Sequence, residues 1–126
     1  MAKRRLRQDK DREQRIAMEI IVDAYGPEEQ AMGWFYYLEE KLQFPFTAIC
    51  CAKRAISPLL VKDEVEVLRM APEEECDKEM FVTIKWGKEG LAVPLSQLTV
   101  TDSEDEETQQ AIEDWHYWVK MGYQFG

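Results

Sequence analysis

Between residues 46 and 100 apolar residues gather into short strand-like runs, and on either side of that stretch they recur at helical spacing. This change of period limits the fold more than any other feature of the chain. A period of two puts alternate side chains on opposite faces of a strand, whereas recurrence at three and four residues puts them on one face of a helix. Strands confined to the middle and helices to the two ends describe an α+β domain.

Residues 3–22 read as a helix, polar at first, whose apolar side is Ile16 and Ile20 with Ala17 and Val22 beside them. Gly26-Pro27 breaks it, and Pro27 is placed to open a second helix. Residues 27–43 carry Ala31, Trp34, Phe35, Leu38 and Leu42 as an apolar stripe, and Phe44-Pro45 ends the helix. The front of the chain is therefore expected to be a helical hairpin. Trp34, Phe35, Tyr36 and Tyr37 are too contiguous all to be buried on one helix face, so some must meet another element or a partner.

Phe46 to Arg54 reads as a strand, and Ser57-Pro58 as a turn. Asp63-Glu64-Val65-Glu66-Val67-Leu68 alternates acid with apolar residue, the pattern of a half-buried strand. Residues 71–79 read as a polar loop, and Met80 to Trp86 as the strongest strand. Gly87 to Gly90 makes a tight hairpin, and Leu91 to Leu95 returns. Ser96-Gln97-Leu98 is a short helical turn and Thr99-Val100 a last short strand. This rhythm predicts a small SH3-like β-barrel. A C-terminal helix then carries Ile112, Trp115, Val119 and Trp118 as a sticky face, with Gly122 as its stop. In domain terms, residues 1–15 are a basic N-terminal arm and residues 16–126 one α+β domain.

The 126 residues carry a net charge of −9, unevenly spread. Residues 1–15 hold seven Lys/Arg against three acids, a net +4, which leaves −13 for residues 16–126. Such a body repels nucleic acid and anionic membrane and attracts cations. No apolar run reaches the roughly 18 residues of a membrane span, and the basic start leads into further charge rather than an apolar segment. A cytoplasmic protein is expected. Three cysteines (Cys50, Cys51 and Cys76), an odd number without metal-site spacing, suit a reducing compartment. The arm Lys3-Arg4-Arg5-Leu6-Arg7 reads either as a contact for nucleic acid or an acidic partner, or as a helix that pairs with the acidic body.

The acids come in clusters. Glu73, Glu74, Glu75 and Asp77 stand in the segment between two strands, where a loop can fold several carboxylates around one ion. Asp102, Glu104, Asp105, Glu106 and Glu107 form a second group. Hard divalent cations, calcium above all, take about 6–8 oxygen ligands and favour such groups. Asp102, Glu104 and Glu106 occupy positions one, three and five of the window 102–113 that ends in Glu113, the acid spacing of an EF-hand loop. The match fails at position six, where the sharp turn wants glycine and Glu107 stands. Ser103 with Glu106 also reads as a capping box, and acids in a first helical turn suit the dipole. The two readings are compatible. Asp114, at helical spacing from Glu107 and Gln110, adds a further oxygen. Glu39-Glu40 lies in the last turn of the second helix, where the dipole disfavours negative charge. A bound cation would relieve that conflict, although two solvated acids explain it as well.

Enzyme motifs are thin. His116 is the only histidine, set between Trp115 and Tyr117, and reads as packing. Cys50-Cys51 lacks the spacing of a zinc pair, and no glycine-rich phosphate loop is present. An enzyme is not expected.

Several stretches together resemble the cyanobacterial calcium-binding protein family, acidic proteins without EF-hands. They are Ile21-Val22-Asp23-Ala24-Tyr25-Gly26, Met32-Gly33-Trp34, Leu42-Gln43-Phe44-Pro45-Phe46, Met70-Ala71-Pro72-Glu73-Glu74-Glu75-Cys76, Ala92 to Leu98 and Glu113-Asp114-Trp115-His116-Tyr117-Trp118. The resemblance runs from about residue 16 to 123 and omits the basic arm. It implies a small soluble protein that binds calcium and buffers or senses it in the cytoplasm. Charge density then points to Glu73, Glu74, Glu75 and Asp77 and to Asp102, Glu104, Asp105, Glu106 and Glu107 as the carboxylates for one or two calcium ions, with Asp114 or Glu40 as helpers. The rival reading is a protein- or peptide-interaction module on the barrel, its acids serving solubility.

Overall fold

The computed structural model describes residues 8–100 and 105–125. The first element among the described residues is α1 (Lys10–Arg15), which runs on through a π-helical turn, Ile16–Ile20; the start of the helix expected from residue 3 lies outside them. Asp9 caps α1, its carboxylate accepting the Arg12 N–H. The expected break at Gly26-Pro27 is the start of α2 (Pro27–Lys41), with Gly26 as N-cap and Pro27 in the first turn. Gly33 lets the two helices meet: a Cβ there would lie 2.2 Å from the Ile20 carbonyl oxygen. The expected helical hairpin therefore forms.

Five strands follow: β1 (Phe46–Cys50), β2 (Glu64–Met70), β3 (Phe81–Ile84), β4 (Leu91–Pro94) and β5 (Leu98–Thr99). All pair antiparallel in one sheet of order β4-β3-β2-β1-β5. The sheet is open, with β4 and β5 as its edges, joined by the short 3-10 turn Leu95–Gln97. β1 is shorter than its apolar run suggested, because the chain leaves the ladder after Cys50. The β3–β4 hairpin turns through two glycines at positive φ, Gly87 (61°) and Gly90 (82°). At Gly90 a Cβ would also press to 2.9 Å from Thr83.

In-facing residues of the strands, Phe46, Ala48, Val67, Val82, Ile84 and Val93, join one core with Trp34, Leu38, Ile112 and Trp115 of the helices. The last helix, α3 (Glu106–Lys120), lies against α2, with the Trp34 and Trp115 rings 5.0 Å apart and edge to face. His116 is anchored to the sheet, its Nε2 lying 2.6 Å from the Leu98 carbonyl, in keeping with a packing role. Among the described residues no helix is long and apolar enough to cross a membrane.

Candidate functional site

The four aromatics of α2 divide as helical geometry requires. Trp34, Phe35 and Tyr37 are buried and Tyr36 is exposed. Tyr36 nonetheless has a partner, its hydroxyl donating to Glu73 at 2.9 Å. This contact lays the 73–77 segment against α2. The segment is not a plain loop: Glu73–Cys76 forms one 3-10 turn after Pro72. Cys76 is its anchor, buried and exchanging hydrogen bonds with the Phe81 backbone. With Cys76 turned inward, Glu73, Glu74, Glu75 and Asp77 are all exposed. Among the described residues none of the four has an ion-pair partner within the chain.

The turn forms one wall of a cleft of about 1060 Å³, whose other walls are the first half of α2 and the chain from the end of α3 to Phe125. Glu28, Glu73, Glu74 and Asp77 stand on its rim with Lys78, and Glu79 is held there by Arg54. The local field is negative. It raises the Tyr36 phenol above its ordinary value, first through the hydrogen bond to Glu73, then through the Glu73 charge, with Glu39 adding to it. Tyr36, Glu39 and Glu40 lie three and four residues apart on the exposed side of α2, so Glu40 continues the same acidic stripe.

The stripe leads to the second acidic group. The backbone N–H of Gln43, just past α2, donates to Thr108 Oγ1 at 3.0 Å and so joins the end of α2 to the start of α3. Asp105, Glu106 and Glu107 are exposed at that corner. Asp102 and Glu104 lie outside the described residues, as does Ser103 and hence the residue expected to head a capping box. The cap of α3 is Asp105 instead, accepting the Thr108 N–H at 3.1 Å. One Asp105 oxygen is thereby committed, whereas Glu106 and Glu107 have no side-chain hydrogen bond among the described residues.

Asp114, expected as a helper ligand, is fully buried. Arg15 binds it through two nitrogens, at 2.6 and 3.0 Å, Tyr37 donates to it at 2.8 Å, and Arg12 Nε lies 3.2 Å away. A cation could reach this carboxylate only by expelling two guanidinium groups. The signal was in the sequence: Ala111, Asp114, Trp115 and Trp118 share one face of α3, and all four are buried.

Arg12 and Arg15 belong to the segment read as a basic arm, and both are spent on α3. Lys3, Arg4, Arg5 and Arg7 lie outside the described residues. Sequence reasoning also missed Glu28, whose place on the rim depends on packing that no local pattern encodes.

The donors fit a hard cation, since the free groups are carboxylate oxygens rather than thiolate or imidazole. They do not form a finished cage. Among the described residues no three Asp, Glu, His or Cys side chains converge closely enough to hold a metal ion.

Comparison with known proteins agrees with that chemistry. The model of the CcbP family, described as calcium binding, matches residues 14–119. No curated protein matches. Among solved structures, the crystal structure of CcbP from Anabaena is similar at TM-score 0.83 and 44% identity, over 95% of this chain and 98% of that one. A calcium-binding protein solved in its calcium-binding form is similar at TM-score 0.81 and 44% identity, over 94% of this chain and 96% of the other.

Proposed function

The chain belongs to the calcium-binding CcbP family, and on that premise we propose that it binds Ca2+ through surface carboxylates in two places. The first is the Glu73–Asp77 turn, with Glu73, Glu74, Glu75 and Asp77 as donors. The second is the corner where α2 meets α3, with Glu40, Asp105, Glu106 and Glu107; Asp102 and Glu104, outside the described residues, belong to the same proposed ligand set. Asp114 is left out, because its oxygens already serve Arg15, Arg12 and Tyr37.

One observation carries the reading. The 3-10 turn Glu73–Cys76 buries its cysteine and thereby presents four carboxylates to solvent with no cationic side chain bound to them among the described residues. Solubility needs acids but not this crowding, and Glu73 holds the Tyr36 phenol above its ordinary value, chiefly through their hydrogen bond. Each bound ion lowers the repulsion and stabilises the folded chain by mass action. With no cage built in advance, water completes the shell and affinity is moderate. Magnesium competes weakly, because it holds its waters and wants near-octahedral geometry. Such a protein serves as a cytoplasmic calcium buffer or sensor, in keeping with three free cysteines and a strongly negative body. The SH3-like reading of the sheet is supported by the strand order and by the 3-10 turn that links its edges.

Amide NMR shifts during a calcium titration test this assignment. Changes at residues 73–77 and at 105–107 support it, and shifts confined elsewhere contradict it.

A further inference from the structure

The rim of the cleft is acidic, but its floor is not. Met32, Phe35, Trp115, Trp118, Val119 and Phe125 line it. Two of these stay unusually open for apolar side chains, Met32 at 37% and Val119 at 42% exposure. Met32 and Val119 come from different helices, so the opening is a shared apolar surface and not one stray side chain. Trp115 adds a polar feature to the lining. It is 1% exposed, and its indole N–H has no hydrogen-bond partner among the described residues. A calcium ion uses none of this apolar surface.

We propose that the cleft docks a basic amphipathic helical segment of a partner protein, its apolar side on Met32, Phe35 and Val119 and its Lys/Arg on Glu28, Glu73, Glu74 and Asp77. Three observations favour this occupant. A cleft of about 1060 Å³ lies at the upper end of the small-molecule range and is open enough to seat one face of a short helix. An apolar patch rimmed by polar groups marks an interaction surface, and helices enter grooves through apolar residues at three- and four-residue spacing. The rim is negative, which selects for cationic residues beside the apolar ones and slows binding of acidic partners.

The proposal goes beyond calcium binding but shares Glu73, Glu74 and Asp77 with it. Calcium and the segment therefore compete for the rim, so calcium releases the partner and the partner lowers calcium affinity by the same factor.

The test uses the full chain and a synthetic Leu/Lys amphipathic peptide of about four helical turns, with an oligo-Lys peptide of equal length as control. The Leu/Lys peptide is expected to shift the Trp115 and Trp118 indole signals, to bind at least about tenfold more tightly than oligo-Lys at physiological salt, and to weaken as calcium is added. Val119→Asn, at an exposed position, removes an apolar contact without adding charge; it should weaken the peptide about tenfold or more and leave the calcium isotherm unchanged. Equal binding of oligo-Lys, indifference to Val119→Asn, or no indole shift overturns the proposal. So does a dimer in sedimentation that Val119→Asn dissolves, which would give the cleft to a second copy. Peptide failure with calcium binding intact rejects this inference alone, and peptide binding without calcium binding rejects the calcium reading and the competition with it while leaving the docking surface.

Discussion

Arg15 and Asp114 meet through both carboxylate oxygens, at 2.6 and 3.0 Å, and so tie the end of α1 to the middle of α3. The Asp114 charge is fully buried, and Tyr37 and Arg12 complete its surroundings. A buried charge of this kind is tolerable only while its partners stay in place. The pairing also raises the Arg15 guanidinium further above its ordinary range, chiefly through the hydrogen bond to Asp114.

Asp114→Asn should therefore destabilise the fold by about 3–5 kcal/mol, because it strands the Arg15 guanidinium beside a neutral amide and takes one of three acidic partners from Arg12. Urea unfolding measures this. The folded fraction should bind calcium within about twofold of the parent. A much larger loss of affinity in protein shown to be folded would return Asp114 to the ligand set.

Tyr37 makes stability depend on high pH. Burial pushes its phenol upward, with the hydrogen bond to Asp114 and that carboxylate's charge acting in the same direction. A phenol whose folded value lies above its unfolded value favours folding fully below the unfolded value of 10.0, and loses that contribution as pH rises through the folded one. Unfolding free energy should thus fall as pH climbs above about 10, and Tyr37→Phe should flatten part of that fall. Equal slopes for the two proteins in urea unfolding at alkaline pH would refute the assignment.

Tyr36 should report on calcium binding at the proposed Glu73–Asp77 site. Glu73 holds its phenol up by hydrogen bond and by charge. A calcium ion taking Glu73 should bring the Tyr36 titration down toward its ordinary value, as read by ultraviolet difference spectra against a Tyr36→Phe control. In Glu73→Gln the phenol should start lower and respond little to calcium. A Tyr36 titration that calcium leaves untouched in the parent protein would place the ion elsewhere.

Gly33→Ala tests the joint between the first two helices. The added carbon falls 2.2 Å from the Ile20 carbonyl oxygen, a backbone atom that moves only if the π-helical turn moves. Overpacking of this kind costs about 1–3 kcal/mol or more. An unchanged thermal midpoint would show that the turn yields freely.

Much of this architecture was legible because local pattern and tertiary role agree. Met80 to Trp86 announced β3, and Gly87 with Gly90 announced the hairpin that needs their positive φ. Where the two part company, the sequence misled. Asp114 reads as one more acid in an acidic chain, and only its place among Ala111, Trp115 and Trp118 marks it as buried. The 71–79 segment reads as a loop because nothing local reveals that Cys76 is the anchor of a turn. The expected α3 cap, Ser103, lies outside the described residues, and Asp105 fills the cap position, with Thr108 bonded both to it and to Gln43. Clustering made the exposed acids of the candidate site visible, but Glu28 joins them only through the packing of α2 against the turn.

Calorimetry of calcium binding to three proteins tests the central claim most directly. They are the parent, a turn variant (Glu73→Gln, Glu74→Gln, Asp77→Asn) and a corner variant (Glu40→Gln, Glu106→Gln, Glu107→Gln). The parent should give a saturable isotherm. The turn variant should lose at least about tenfold in affinity, on the order of what one charge at contact distance supplies near water, and the corner variant should lose only its own share. A parent that gives no heat at about 1 mM calcium, where binding free energy would already be only about 4 kcal/mol, or a turn variant that binds like the parent, would contradict the account.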